Sequence, residues 1–214
     1  MEAASEIDDE IFDICASPDE PGPDRSALLA ALAVHAGLVG VALFVGWVVD
    51  VWARTSGSFL VDGIGLVVGF GVGLVVVGLL HEWGHYAGAK LSGALAPRTR
   101  ATAIFPVFLF DIERNSTAQF VAMSSGGQLA QWAITILFLV GGDDSAAALG
   151  LQAGMLFSAV AASALEAPIL VDALRRGSGI EAWQAYLPNR GAIGKRSFGI
   201  GLAAVLIFAI VRAG

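Results

Sequence analysis

Five long apolar stretches decide what this chain can fold into. They run over about residues 26–52, 60–89, 118–140, 145–173 and 197–212. A bilayer core needs roughly 20 apolar residues of α-helix to cross it, and backbone buried in lipid must satisfy its own hydrogen bonds. The stretches reach or approach that length, so the sequence predicts an all-α polytopic membrane protein with about five transmembrane helices. Charge agrees: 14% of the residues are charged, against about 25% in soluble domains. Trp47 and Trp52 close the first stretch as interfacial aromatics do.

The net charge of −7 is a local matter. Residues 1–25 hold nine acids and one base, while the other 189 residues hold ten acids and eleven bases. The first 25 residues therefore read as an acidic disordered tail, with "SPDEPGPD" as a tether. They carry neither the basic start nor the apolar core of a signal peptide. Residues 26–214 read as one transmembrane domain in the lipid bilayer, and nothing in them directs the chain to nucleic acid. The single cysteine, Cys15, lies in the tail, which excludes an internal disulfide and a cysteine-based metal site.

Basic residues set the expected orientation. Lys90, Arg98, Arg100 and Arg114 follow the second stretch; Arg175, Arg176, Arg190, Lys195 and Arg196 follow the fourth. The turn between the third and fourth, "GGDD", has no base. Basic loops stay in the cytoplasm, so the second and fourth helices should descend toward it, with the N-terminus on that side. Residues 97–113 are apolar but too short to span, and Pro106 disfavours a central strand. A short membrane-associated extended or β segment is expected there, on the cytoplasmic face. Gly65, Gly69 and Gly73 form a smooth strip on the second helix, where a neighbouring helix can approach closely.

Within this apolar setting "HEWGH", residues 81–85, stands out. An HExxH sequence on a helix puts two imidazoles on one face, at i and i+4, where both can bind zinc. The intervening glutamate can hold and deprotonate a water on the metal. His81 and His85 are thus candidate ligands and Glu82 the candidate general base. Counted back from Lys90, His85 lies ~8 Å and His81 ~13 Å inside the membrane, a depth where ionisable groups need a partner or a wet cavity.

Two histidines leave zinc short of the usual three protein ligands. His35, in the first stretch, reads as a hydrogen-bonded packing residue. Asp62 sits ~28 Å away at the far end of the second helix, and Asp111 and Glu113 lie in the extended loop. Glu166 and Asp172 remain. Asp172, just before the Arg175–Arg176 pair and after the bend expected at Pro168, is the preferred third ligand. Glu166, ~9 Å deeper, is the runner-up.

The pattern resembles the site-2 protease family of intramembrane zinc metalloproteases. The resemblance is carried by His81 to His85, by Pro168 and Asp172 some ninety residues on, and by "SSGGQLAQWA" (124–133). That last stretch is similar to the Gly-Gly or Gly-Pro step opening the family's middle core helix. The likeness covers about residues 60–180; Ala164 and Ala173 stand where the family carries Asn and Gly. It implies Zn2+ held by His81, His85 and Asp172, with Glu82 as base, and cleavage of transmembrane segments of other membrane proteins. On that reading the 97–113 segment, with Phe105 and Val107, would pair with an unwound substrate. Gln128 and Gln131 would bond the oxyanion or substrate backbone, or else only bond helix to helix. The alternative is a catalytically silent scaffold on the same fold, its metal site decayed.

Overall fold

The computed structural model describes residues 25–96 and 108–213. Four long helices come first: α1 (Arg25–Ser56), α2 (Phe59–Leu91), α3 (Thr117–Gly141) and α4 (Ala146–Arg176). A short helix α5 (Gly179–Tyr186) and a 3₁₀ turn (Leu187–Asn189) lead into α6 (Arg190–Ala213). Five segments, with α5 and α6 counted as one, are long and apolar enough to cross a membrane. The protein is an all-α polytopic membrane protein, and no strand occurs among the described residues. Its surface has the matching inversion: Phe44, Trp47, Leu129, Leu137 and Ile210 face outward, while Gln131, Thr135 and Gln152 are fully buried.

Local sequence explains where the helices start and stop. Ser116 opens α3 with a capping box, its hydroxyl accepting the Gln119 N–H while the Gln119 side chain accepts the Ser116 N–H. Ser145 caps α4 by accepting the Ala148 N–H. Gly177, at φ 68°, ends α4 in the left-handed conformation that glycine adopts at no steric cost. Ser178 at once caps α5, accepting the Glu181 N–H. These two caps turn the Gly-containing stretch after α4 into a short helix. Ala182 of α5 packs with Phe120, Ile169 and Ala173, closing that end of the bundle.

The glycines of α2 set the main helix contact. The faces of Gly65, Gly69 and Gly73 meet the backbone of Ala147, Leu151 and Met155 on α4, and Gly150 and Gly154 reciprocate against Leu66 and Phe70. Any Cβ at Gly69 or Gly73 would enter α4 backbone, with the Leu151 and Met155 amide nitrogens at 2.9 and 2.8 Å. Numbers rise together on both helices, so α2 and α4 run parallel. Gly84 and Gly88 meet Gly126 and Ala122 in opposite order, so α3 runs antiparallel to α2. Helix α2 is thus the central element, touching α4, α3 and α1, while α6 packs on α4.

The end of the bundle remote from the histidines is tied by charge. Arg54 of α1 pairs with Asp50 and with Asp143 in the α3–α4 turn. Arg212 of α6 pairs with Asp144 at 2.7 Å and donates to Gln152 at 2.8 Å.

The expected tail, apart from Arg25, lies outside the described residues, as do Phe105, Val107 and most of the expected extended segment. From Phe108 to Asp111 the backbone is non-helical, with the Asp111 N–H donating to the Leu95 carbonyl at 3.3 Å. Asp111 then accepts the Arg114 N–H and shapes the turn into α3.

Candidate metal centre

The HExxH motif lies on α2, ten residues before its last residue, Leu91. One helical turn separates His81 from His85, so both rings leave the same face. Their Nε2 atoms are 2.8 Å apart. The third donor comes from α4: Glu166 Oε1 is 2.8 Å from His81 Nε2 and 3.5 Å from His85 Nε2. Among the described residues, His81, His85 and Glu166 are the one group of three that could hold a metal ion.

Asp172 is not part of this group, which corrects the preferred ligand of the sequence reading. Its carboxylate pairs with Arg176 at 2.7 Å, one turn along α4, and is partly exposed. The reason is helical geometry. Six residues beyond Glu166 carry the side chain ~9 Å along the axis and roughly 120° around it. Helix α4 continues through Pro168, and beyond it Asp172 faces Arg176 of its own helix. Glu166 matches in depth because it too lies ten residues before the end of its helix, at Arg176.

The surroundings orient the donors unequally. His85 Nδ1 donates to the Met123 carbonyl at 2.9 Å. A carbonyl only accepts, so Nδ1 carries the proton and a neutral His85 presents a bare lone pair at Nε2. Room for that ring comes from Gly127: a Cβ there would lie 2.6 Å from both ring nitrogens. His81 Nδ1 is buried and has no hydrogen-bond partner among the described residues, so the ring's polar contacts are all at Nε2. Glu166 Oε2 accepts from Gln128 Nε2 at 2.8 Å, which leaves Oε1 for the histidines.

This donor set fits zinc. Tetrahedral bonds of about 2.0–2.2 Å place ligand atoms roughly 3.3–3.5 Å apart. One of the three separations here is 3.5 Å and two are 2.8 Å, so a small outward movement of His81 Nε2 would admit the ion. Two imidazole nitrogens and one carboxylate oxygen also leave a fourth position open, as catalytic zinc sites do. Two facing ring nitrogens at hydrogen-bond distance require either a shared proton or a cation between them.

Glu82 is half-buried and makes no hydrogen bond among the described residues. Trp83 turns the other way and donates to His35 Nδ1 on α1 at 2.9 Å, with the rings edge to face. His35, 3% exposed, thus has the packing role expected of it. Gln128 and Gln131 join α3 to α4. Gln128 meets Glu166 and Ser163, and Gln131 meets Gln128, Ser163 and the Ala159 carbonyl. Ser163 and Trp132, which complete this network, had no distinguishing mark in the sequence.

No family model, no curated protein and no solved structure matches the chain.

Proposed function

We propose that the protein is an intramembrane zinc endopeptidase of the site-2 protease type, hydrolysing peptide bonds in transmembrane segments of other membrane proteins. One observation carries the reading. Within a bundle of membrane-crossing helices, a carboxylate on α4 lies 2.8 Å from the first imidazole of an HExxH motif on α2, and the second imidazole is 2.8 Å from the first.

His81 Nε2, His85 Nε2 and Glu166 Oε1 would hold the ion. When bound, zinc supplies a Lewis acid for the scissile carbonyl and brings the acidity of water to near neutrality. Glu82, one residue from His81 and without an internal partner among the described residues, takes a proton from the attacking water. It returns that proton to the amine as the C–N bond breaks, leaving a carboxylic acid and an amine. The Met123 carbonyl keeps His85 in the ligating tautomer throughout. A substrate helix hides its carbonyls in its own hydrogen bonds, so it has to unwind before attack.

The bases clustered near the ends of α2 and α4 favour a cytoplasmic location for that end of the bundle and for the N-terminus. His81 and Glu166 lie ~15 Å from those helix ends, within the cytoplasmic half of the membrane.

The test is Glu82→Gln in membranes that also contain single-span reporter proteins. Wild type should yield a new reporter fragment, and Glu82→Gln should yield none while keeping the zinc content of wild type. Identical reporter patterns from both proteins would instead support a catalytically silent scaffold.

A further inference from the structure

We propose that Gln128 is a positioning residue that fixes Glu166 as a one-oxygen donor toward the histidine pair, through a hydrogen-bond chain whose direction is set by Trp132. This rests on the metal-site reading above and adds to it a residue that never touches the ion.

The direction of the chain follows from a donor with no ambiguity. An indole N–H can only donate, and Trp132 Nε1 donates to Ser163 Oγ at 2.9 Å. Ser163 Oγ also accepts from Gln131 Nε2 at 3.2 Å; with both lone pairs engaged, its hydroxyl turns its own proton to Gln128 Oε1, 2.6 Å away. Gln131 Nε2 donates to the same oxygen at 2.7 Å. Two donors on one side of the Gln128 amide identify that side as the oxygen, so its NH₂ faces Glu166 Oε2 at 2.8 Å. The reverse orientation would set an amide NH₂ against two donors and a carbonyl against a carboxylate.

The consequence falls on Glu166. Its Oε2 is held on the α3 side by the Gln128 amide, which leaves Oε1 as the oxygen 2.8 and 3.5 Å from the His81 and His85 Nε2 atoms. A carboxylate on a flexible three-torsion side chain otherwise has many orientations within a bundle. The network also explains why a fully buried polar residue, Gln131, is present beneath the site: it braces Gln128 from the Ala159 carbonyl side, at 3.2 Å. Outer-shell partners of this kind typically govern metal affinity by about 10–100-fold.

The experiment uses the full chain in detergent micelles or lipid nanodiscs and reads zinc affinity by competition with a chromophoric chelator, beside the melting temperature of the metal-free protein. Gln128→Met keeps the side chain's length and removes both amide functions. It should weaken zinc by about 10–100-fold while the metal-free melting temperature changes little. Ser163→Ala and Trp132→Phe remove the groups that direct the Gln128 amide without touching Glu166, and should weaken zinc by about threefold or more. A merely structural role would move the metal-free melt and leave zinc affinity alone. Should Gln128→Met fail to fold, Ser163→Ala decides: weaker zinc supports the assignment, and affinity within twofold of wild type overturns it. Wild-type protein that takes up no zinc would overturn the metal-site reading itself. Tight zinc in wild type with equal affinity in Gln128→Met would overturn the positioning role alone.

Discussion

Gly127→Ala is a one-methyl substitution that should disable the proposed metal centre. The added methyl would lie 2.6 Å from His85 Nδ1 and Nε2, about 0.8–1 Å inside ordinary van der Waals contact. Either the ring or helix α3 has to move by that amount. Helix α3 is pinned, because Gly84 and Gly126 meet backbone to backbone one residue away. Forcing such a contact apart costs about 1–3 kcal/mol. The ring is the softer element, but its retreat stretches the Nδ1 bond to the Met123 carbonyl and carries Nε2 off line. Metal bonds tolerate errors of about 0.2 Å, so the substitution should remove one of three ligands. We expect zinc affinity to fall by more than the roughly 100-fold upper range of outer-shell changes, measured by chelator competition. Gly71→Ala is the matched control, since nothing lies within 4 Å of its added methyl. It should bind zinc as wild type does. Gly127→Ala protein that folds and keeps zinc affinity within about threefold would refute the placement of the His85 ring.

Two further predictions concern the scaffold. Gly69→Val drives a branched side chain into the Ala147 carbonyl and the Leu151 N–H, and should lower stability by about 1–3 kcal/mol or more. It should also weaken zinc, because α4 carries Glu166. Gly63→Val, with open space around it, should do neither, and parallel melts and zinc titrations check both. The Asp143 carboxyl is held below its ordinary value, first by the Ser145 backbone N–H and then by Arg54. A lowered folded value contributes stability above the unfolded value, and that contribution is lost as pH falls through the folded value. Asp143→Asn should therefore be less stable than wild type above the usual carboxylate range, and the difference should vanish with acid. Because the group is exposed, the difference should be small and reduced by salt.

The sequence made some parts of this arrangement legible and hid others, for physical reasons. The five helices were legible because lipid demands long apolar runs, and those are local patterns. His81 and His85 were legible because their i, i+4 spacing is also local. The glycine strip on α2 announced a close neighbour, but not that the neighbour was α4. The third member of the donor group depends on two helices meeting at one depth and one rotation. Proximity to the Arg175–Arg176 pair and to Pro168 favoured Asp172, yet those features concern α4 alone. Counting from both helix ends would have favoured Glu166, ten residues back in α4 as His81 is in α2. The register of the glycine contacts agrees, since Gly69 faces Leu151 and Gly73 faces Met155. Extending it by two turns brings His81 opposite the turn that holds Ser163 and Glu166. The Gln128 network was not legible at all, because Gln, Ser and Trp on membrane helices have many packing uses.

Zinc content per chain in purified wild type, Glu166→Ala and Asp172→Ala protein addresses the claim on which the site depends. The arrangement of His81, His85 and Glu166 predicts about one zinc per chain in wild type and Asp172→Ala, and little in Glu166→Ala. Zinc retained by Glu166→Ala and lost from Asp172→Ala would contradict it.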